Sequence, residues 1–151
     1  FNQVAKLLSP DGIALIHTIG RVAEPSTQSS WLNKYIFPGG YVPSLSELAA
    51  PIQTSGLHGT DIEILQGTWH YARTLEHWRR RFEANLDKVR QINDERFIRM
   101  WRYYLVACEA AFDCTRQGVF QMQLTKRQGT VPATRDYLYH PPVHAQLKAG
   151  E

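Results

Sequence analysis

Only two of the 151 residues are cysteine, and their placement excludes more than it offers. Cys108 and Cys114 lie six apart in what reads as one helix, which turns them to different faces and too far apart to bridge. Reduced thiols, and with them a cytoplasmic setting, are the expectation. No CxxC or HExxH spacing occurs, so a zinc site has no support. Long apolar runs are missing too: Ile13 to Ile16 is far short of the roughly 20 residues of a spanning helix. A basic region followed by an apolar stretch is not seen after Phe1, so no secretory signal is visible.

Several chemical signatures are likewise absent. Neither GxGxxG nor GxxxxGK[ST] occurs, and Pro38-Gly39-Gly40 does not follow a strand, so no phosphate-cradling loop is encoded. GxSxG and paired carboxylates at a recognisable spacing are missing as well, which removes a serine hydrolase and a glycosidase. Charge of one sign is scarce: seventeen Lys and Arg against fourteen Asp and Glu leave +3. That excess suits a solvated surface and calls for no nucleic acid, although it would also tolerate anionic lipid head groups.

What is present is an ordinary globular balance, 43% hydrophobic and 21% charged, long enough for one domain with a core. Val4, Leu7 and Leu8 end an amphipathic helix, and Ser9-Pro10-Asp11-Gly12 forms a tight turn. Gly12 to Gly20 reads as a strand whose continuous apolar, β-branched character predicts burial on both faces, as in a central strand of a helix-covered sheet. A polar stretch then leads to a short aromatic helix over Trp31 to Phe37, stopped by Pro38-Gly39-Gly40. Ser44 and Glu47 make a capping box that opens a helix to about Ser55. A strand is expected over Gly59 to Gly67.

Leu75, Trp78, Phe82, Leu86 and Val89 recur every three or four residues, predicting one long helix over Tyr71 to Ile92 with Arg79, Arg80 and Arg81 beside the stripe. A second long helix carries Phe97, Trp101, Tyr104, Leu105, Cys108 and Phe112 along one side. Gly118 to Lys126 alternates apolar residues with glutamines, a final strand expected to pair antiparallel with the previous one. Beyond Arg127, Pro132, Pro141 and Pro142 predict an extended tail, giving a division into 1–126 and 127–151.

The residues with chemistry are few. His17 is placed at the end of a buried strand, where an imidazole can meet a ligand and titrate near neutral pH, although a lone histidine there is more often structural. Tyr71 offers a phenolic donor at a strand-to-helix junction, where most tyrosines simply pack. His58, His70, His77, His140 and His144 have no regular spacing and read as surface or packing residues. Trp31, Tyr35, Ile36 and Phe37 either line an apolar pocket for a long acyl chain or cover the core.

Six blocks, in order, carry a family resemblance: Leu8 to Gly12, His17-Thr18-Ile19-Gly20, Lys34 to Gly40, His70 to Leu75, Tyr103-Tyr104-Leu105 before Cys108, and Val131 to Tyr139. In these the chain resembles the C-terminal half of cyclopropane-fatty-acyl-phospholipid synthases and the related mycolic acid cyclopropane synthases. The resemblance implies an α/β fold, the C-terminal half of a Rossmann-like S-adenosylmethionine-dependent methyltransferase: one parallel strand, a terminal antiparallel pair and long helices. It implies methyl transfer from S-adenosylmethionine to the cis double bond of an unsaturated phospholipid acyl chain, then proton loss to close a cyclopropane ring, with bound bicarbonate as base. By resemblance the bicarbonate falls to the His17 side chain, the Ile19 backbone and the Tyr71 hydroxyl. Trp31, Tyr35, Ile36, Phe37, Pro38, Gly39 and Tyr104 are the expected acyl-chain surround.

The cofactor loop, an acidic ribose ligand and two further bicarbonate ligands, a Cys and a Glu, are expected upstream of Phe1; Cys108 and Cys114 sit in a late helix and do not fit that Cys. The implied partners are phospholipid at the inner membrane surface, where the protein would sit peripherally, the N-terminal half of the same protein, and a second copy as an option. On this reading the fragment alone is inactive. The alternative is a noncatalytic lipid-surface or assembly module that retains only half of the fold.

Overall fold

The computed structural model describes residues 1–139. Along it run α1 (Asn2–Leu7), β1 (Ile13–Arg21), α2 (Ser30–Tyr35), α3 (Leu45–Thr54), β2 (His58–Gln66), α4 (Tyr71–Ala84), α5 (Leu86–Arg90), α6 (Glu95–Cys114) and β3 (Gln117–Thr125). Short 3-10 turns follow β2 at Gly67–Trp69 and β3 at Asp136–Leu138. The prolines at 141 and 142, and His140 and His144, lie outside the described residues.

The sheet has the order β1-β3-β2. The last strand pairs antiparallel with β2, as expected, and antiparallel with β1 as well, so it occupies the centre. Both outer strands therefore run in the same direction. Val119, Phe120, Met122 and Leu124 are fully buried there, which explains why the apolar positions of β3 alternate with glutamines and still fill the core.

The expected burial of β1 on both faces is overturned. Ala14 and Ile16 pack with Phe120, Met122 and Leu124 against α1 and α3, through Val4, Leu8, Leu45 and Ile52. On the opposite face Ile13 and Leu15 are 50% and 60% exposed, and His17 is exposed beside them. β1 is an edge strand among the described residues, and the helices on its second face cover only its carboxyl end, at Ile19. A second correction concerns α1, where Leu7 points to solvent and Val4, Ala5 and Leu8 make the contacts.

The capping box forms as expected: the Ser44 N–H donates to Glu47 Oε2 at 2.8 Å, and α3 ends before Gly56, whose φ of 75° suits glycine. The single helix predicted over Tyr71 to Ile92 is two helices. Asn85 leaves helical geometry at φ −119° and ψ 20°, and its side-chain amide donates to the Arg81 carbonyl at 2.8 Å, turning the chain before α5 begins. α6 is capped by Asp94, whose carboxylate accepts the Phe97 N–H at 2.7 Å. Two paired Arg–carboxylate forks, Arg79 with Glu109 and Arg102 with Glu83, tie α4 to α6.

After β3 the chain is irregular but not detached. Arg135 pairs with Asp61 on β2, and the Gln123 side chain of β3 lies 3.3 Å from the Tyr137 hydroxyl. The segment that reads as an extended tail thus folds back over the exposed half of the sheet.

Candidate active site

β1 and β2 run in the same direction, and their carboxyl ends lie level where Gly20 and Gln66 both pair with Gly118. Ligands of open α/β sheets bind beyond such carboxyl ends. The chain gathers its aromatic residues there. From Arg21 it crosses to α2, held by Arg21 N–H to the Pro43 carbonyl at 2.9 Å and Val22 N–H to the Arg116 carbonyl at 2.8 Å. From Gln66 it turns through Gly67, whose Cα lies so close to α6 that a Cβ would stand 2.4 Å from the Phe112 carbonyl oxygen. That approach delivers Tyr71 against Phe112, ring centroids 4.5 Å apart.

His17 is not at the end of its strand. β1 continues to Arg21, because each residue through Arg21 still has a partner on β3, and His17 sits mid-strand opposite Gln121. It shares its sheet face with Ile19, two residues nearer the carboxyl end. Ile19 and Tyr71 pack in one cluster with Leu75, Tyr104, Leu105 and Phe112. His17 thus shares a face with Ile19, Ile19 shares a cluster with Tyr71, and among the described residues no hydrogen bond joins the His17 and Tyr71 side chains.

Gln121 was not singled out from the sequence. Its amide nitrogen lies 3.2 Å from His17 Nδ1, so the two side chains face each other across the strand pair. A glutamine in an alternating strand is legible; its partner across the sheet requires the register, which no local pattern encodes.

An apolar slot of about 280 Å³ lies between α2 and α6. Ile19, Trp31, Leu32, Phe37, Cys108 and Phe112 are among its walls. Of the residues expected around an acyl chain, Trp31 and Phe37 line this slot, Ile36 packs in the cluster beneath and Tyr35 lines an outer groove. Tyr104 is buried behind, its ring edge-on to Phe37 at 5.8 Å. Pro38 and Gly39 are exposed in the turn that closes the segment, with Gly39 at φ 74° and its N–H donating to Asn33 Oδ1 at 2.9 Å. Tyr103 is a slot residue that the sequence reading left out, and its ring packs edge-on to Trp31 at 4.5 Å.

Two groups beside the slot are desolvated by burial. Burial, with Cys108 and Tyr71 nearby, pushes the Tyr104 hydroxyl up to about 12, and burial alone raises the Cys108 thiol to about 11. Both cysteines are free, as expected. No group of His, Cys, Asp and Glu among the described residues could hold a metal ion.

Comparison with known proteins bears on the fold and the family. The sequence profile of the family described as "Mycolic acid cyclopropane synthetase" matches residues 1–122. Cyclopropane-fatty-acyl-phospholipid synthase of Escherichia coli strain K12 is 39% identical over 117 residues, 74% of this chain and 28% of that protein. A probable fatty acid methyltransferase of Pseudomonas putida is 33% identical over 137 residues, 88% of this chain and 34% of that protein. The mycolic acid cyclopropane synthase CmaA1, solved with S-adenosylhomocysteine and CTAB, superimposes with a TM-score of 0.71 at 26% identity, covering 82% of this chain and 47% of that one. The fold is accordingly α/β and forms part of a methyltransferase fold, and the chain spans less than half the length of each of these three proteins. On the extent of the profile match, the chain belongs to the mycolic acid cyclopropane synthetase family.

Proposed function

We propose that the protein containing this chain transfers a methyl group from S-adenosylmethionine to the cis double bond of an unsaturated phospholipid acyl chain and closes a cyclopropane ring. One observation carries the reading: a mostly apolar slot has among its walls Ile19, which shares the face of β1 with His17, and Phe112, whose ring packs on Tyr71. A lipid chain in the slot would lie against those two walls.

The donor set fits a small oxyanion such as bicarbonate. His17 is engaged through Nδ1 and keeps Nε2 unspent, and the Tyr71 hydroxyl makes no hydrogen bond among the described residues. When bound there, bicarbonate would supply the base that removes the ring-closing proton. His17 and Tyr71 would donate to it, with Gln121 beside the imidazole at Nδ1. The slot walls exclude water from the cationic centre that methyl addition creates. We assign no residue of this chain to S-adenosylmethionine, whose site belongs to other parts of the parent protein in this reading. No helix among the described residues is long and apolar enough to cross a membrane.

The test is to incubate the full-length protein with labelled S-adenosylmethionine and vesicles of an unsaturated phospholipid. Label in the lipid is expected, and its absence overturns the reading. Product structure, read from the proton spectrum of the cyclopropane methylene, separates ring closure from proton loss to a methyl-branched alkene of the same mass.

A further inference from the structure

We infer that an open groove over the first half of α6 binds the phosphodiester of a membrane phospholipid while the acyl chain of the same molecule enters the slot. The inference rests on the lipid-methyltransferase reading and adds to it a head-group subsite.

The groove, about 530 Å³, is lined on α6 by Arg96, Arg99, Met100 and Tyr103 and on α2 by Trp31 and Tyr35. These four α6 positions follow i, i+3, i+4 and i+7, one face of a helix, and Phe97 flanks them on the same wall. That face continues through Ala107 and Ala111, which line the apolar slot. Trp31 and Tyr103 line both cavities, so their edge-on ring pair is the shared wall between a polar mouth and an apolar interior.

Charge follows the same division. The arginines to either side are committed, Arg90 to Glu95 and Arg102 to Glu83. Arg96 and Arg99 are exposed and have no carboxylate partner among the described residues. The acid on the groove wall, Asp94, is held in the helix cap by the Phe97 N–H. Two free guanidinium groups one turn apart above aromatic rings suit a phosphodiester, which takes bidentate hydrogen bonds from arginine.

The dimensions agree. From Arg99 to Cys108 is nine residues of helix, about 14 Å. One leaflet of a bilayer's hydrocarbon core is about 15 Å deep. A phosphate at Arg99 therefore leaves the body of an acyl chain alongside Ala107, Cys108 and Ala111, and the unsaturated middle of that chain within the slot.

The test measures kcat/KM for labelled methyl transfer by the full-length enzyme on two substrates. One is vesicles of dioleoylphosphatidylglycerol; the other is methyl oleate in neutral detergent micelles, which has no phosphate. In the Arg96→Gln/Arg99→Gln protein the ratio of vesicle to micelle activity is expected to fall at least about tenfold, with partial recovery in Arg96→Lys/Arg99→Lys. A ratio unchanged from wild type overturns the inference. The ratio is internally normalised, so a partly unfolded variant still reports on it, and Arg99→Gln alone, read the same way, serves if the double variant does not fold. A loss on oleoyl-acyl carrier protein without a loss on vesicles assigns the groove to a protein partner and overturns the lipid assignment. A wild-type enzyme that labels neither substrate defeats the methyltransferase reading, and the inference with it; one that labels both while the variant keeps its ratio defeats the head-group subsite alone.

Discussion

Gly20 stands at the end of the His17 to Gly20 block because a side chain there has no room. A Cβ would lie 2.2 Å from the Phe120 ring, which is fully buried. Gly20→Ala is expected to cost about 1–3 kcal/mol through overpacking, lowering the thermal midpoint by several degrees in a melt followed by circular dichroism. The thiols offer a second check. Cys108, raised to about 11 by burial, should alkylate with iodoacetamide at pH 8 far more slowly than the exposed Cys114, as peptide mass mapping over time will register. For the proposed site, Tyr71→Phe in the full-length enzyme should lower kcat by about 10²-fold or more while S-adenosylmethionine binding, read by calorimetry, is retained. Unchanged turnover removes Tyr71 from the chemistry. His17 and Tyr71 were legible as residue types with suitable chemistry, and the family resemblance joined them. What could not be read was Gln121, because a cross-strand neighbour is set by a register between segments far apart in the chain.

Among the elements, α4 and α6 show how far periodicity reaches. The three-four spacing from Leu75 to Val89 survives the turn at Asn85, so an apolar stripe alone cannot reveal that the helix stops. Capping boxes, by contrast, are local, and Ser44 with Glu47 placed α3 within a residue of its observed ends. The α4–α6 pair also has a pH dependence. The Arg102 guanidinium, by hydrogen bond first and by charge second, holds the Glu83 carboxyl below its ordinary value of about 4.3. A carboxylate depressed in the folded state contributes stability that is present above its unfolded pKa and lost as pH falls through the folded one. Urea midpoints should therefore drop between about pH 5 and pH 3, and Glu83→Gln should flatten part of that drop. Since both side chains are more than a third exposed, the pair's coupling should stay below about 1 kcal/mol.

For the whole molecule, a continuous apolar strand reads alike whether it lies in the middle of a sheet or at its edge. Among the described residues β1 lies at the edge, and its location in the chain is as expected. Ile13 and Leu15 project from an edge strand with an uncovered face, an arrangement prone to self-association. The 151-residue chain, purified alone, is expected to associate as concentration rises in sedimentation velocity, and Leu15→Lys should shift it toward monomer. Equal association by the variant would clear this face.

The central place of β3 also fixes an order of events during synthesis. β1 and β2 cannot hydrogen-bond to each other across the gap their partner will fill, and His17 meets Gln121 across 104 residues of sequence. At about 5–20 residues per second, the ribosome holds β1 waiting roughly 5–20 s for that strand to emerge. Until it arrives, Ala14 and Ile16 lack the Phe120, Met122 and Leu124 side chains that cover them in the finished sheet.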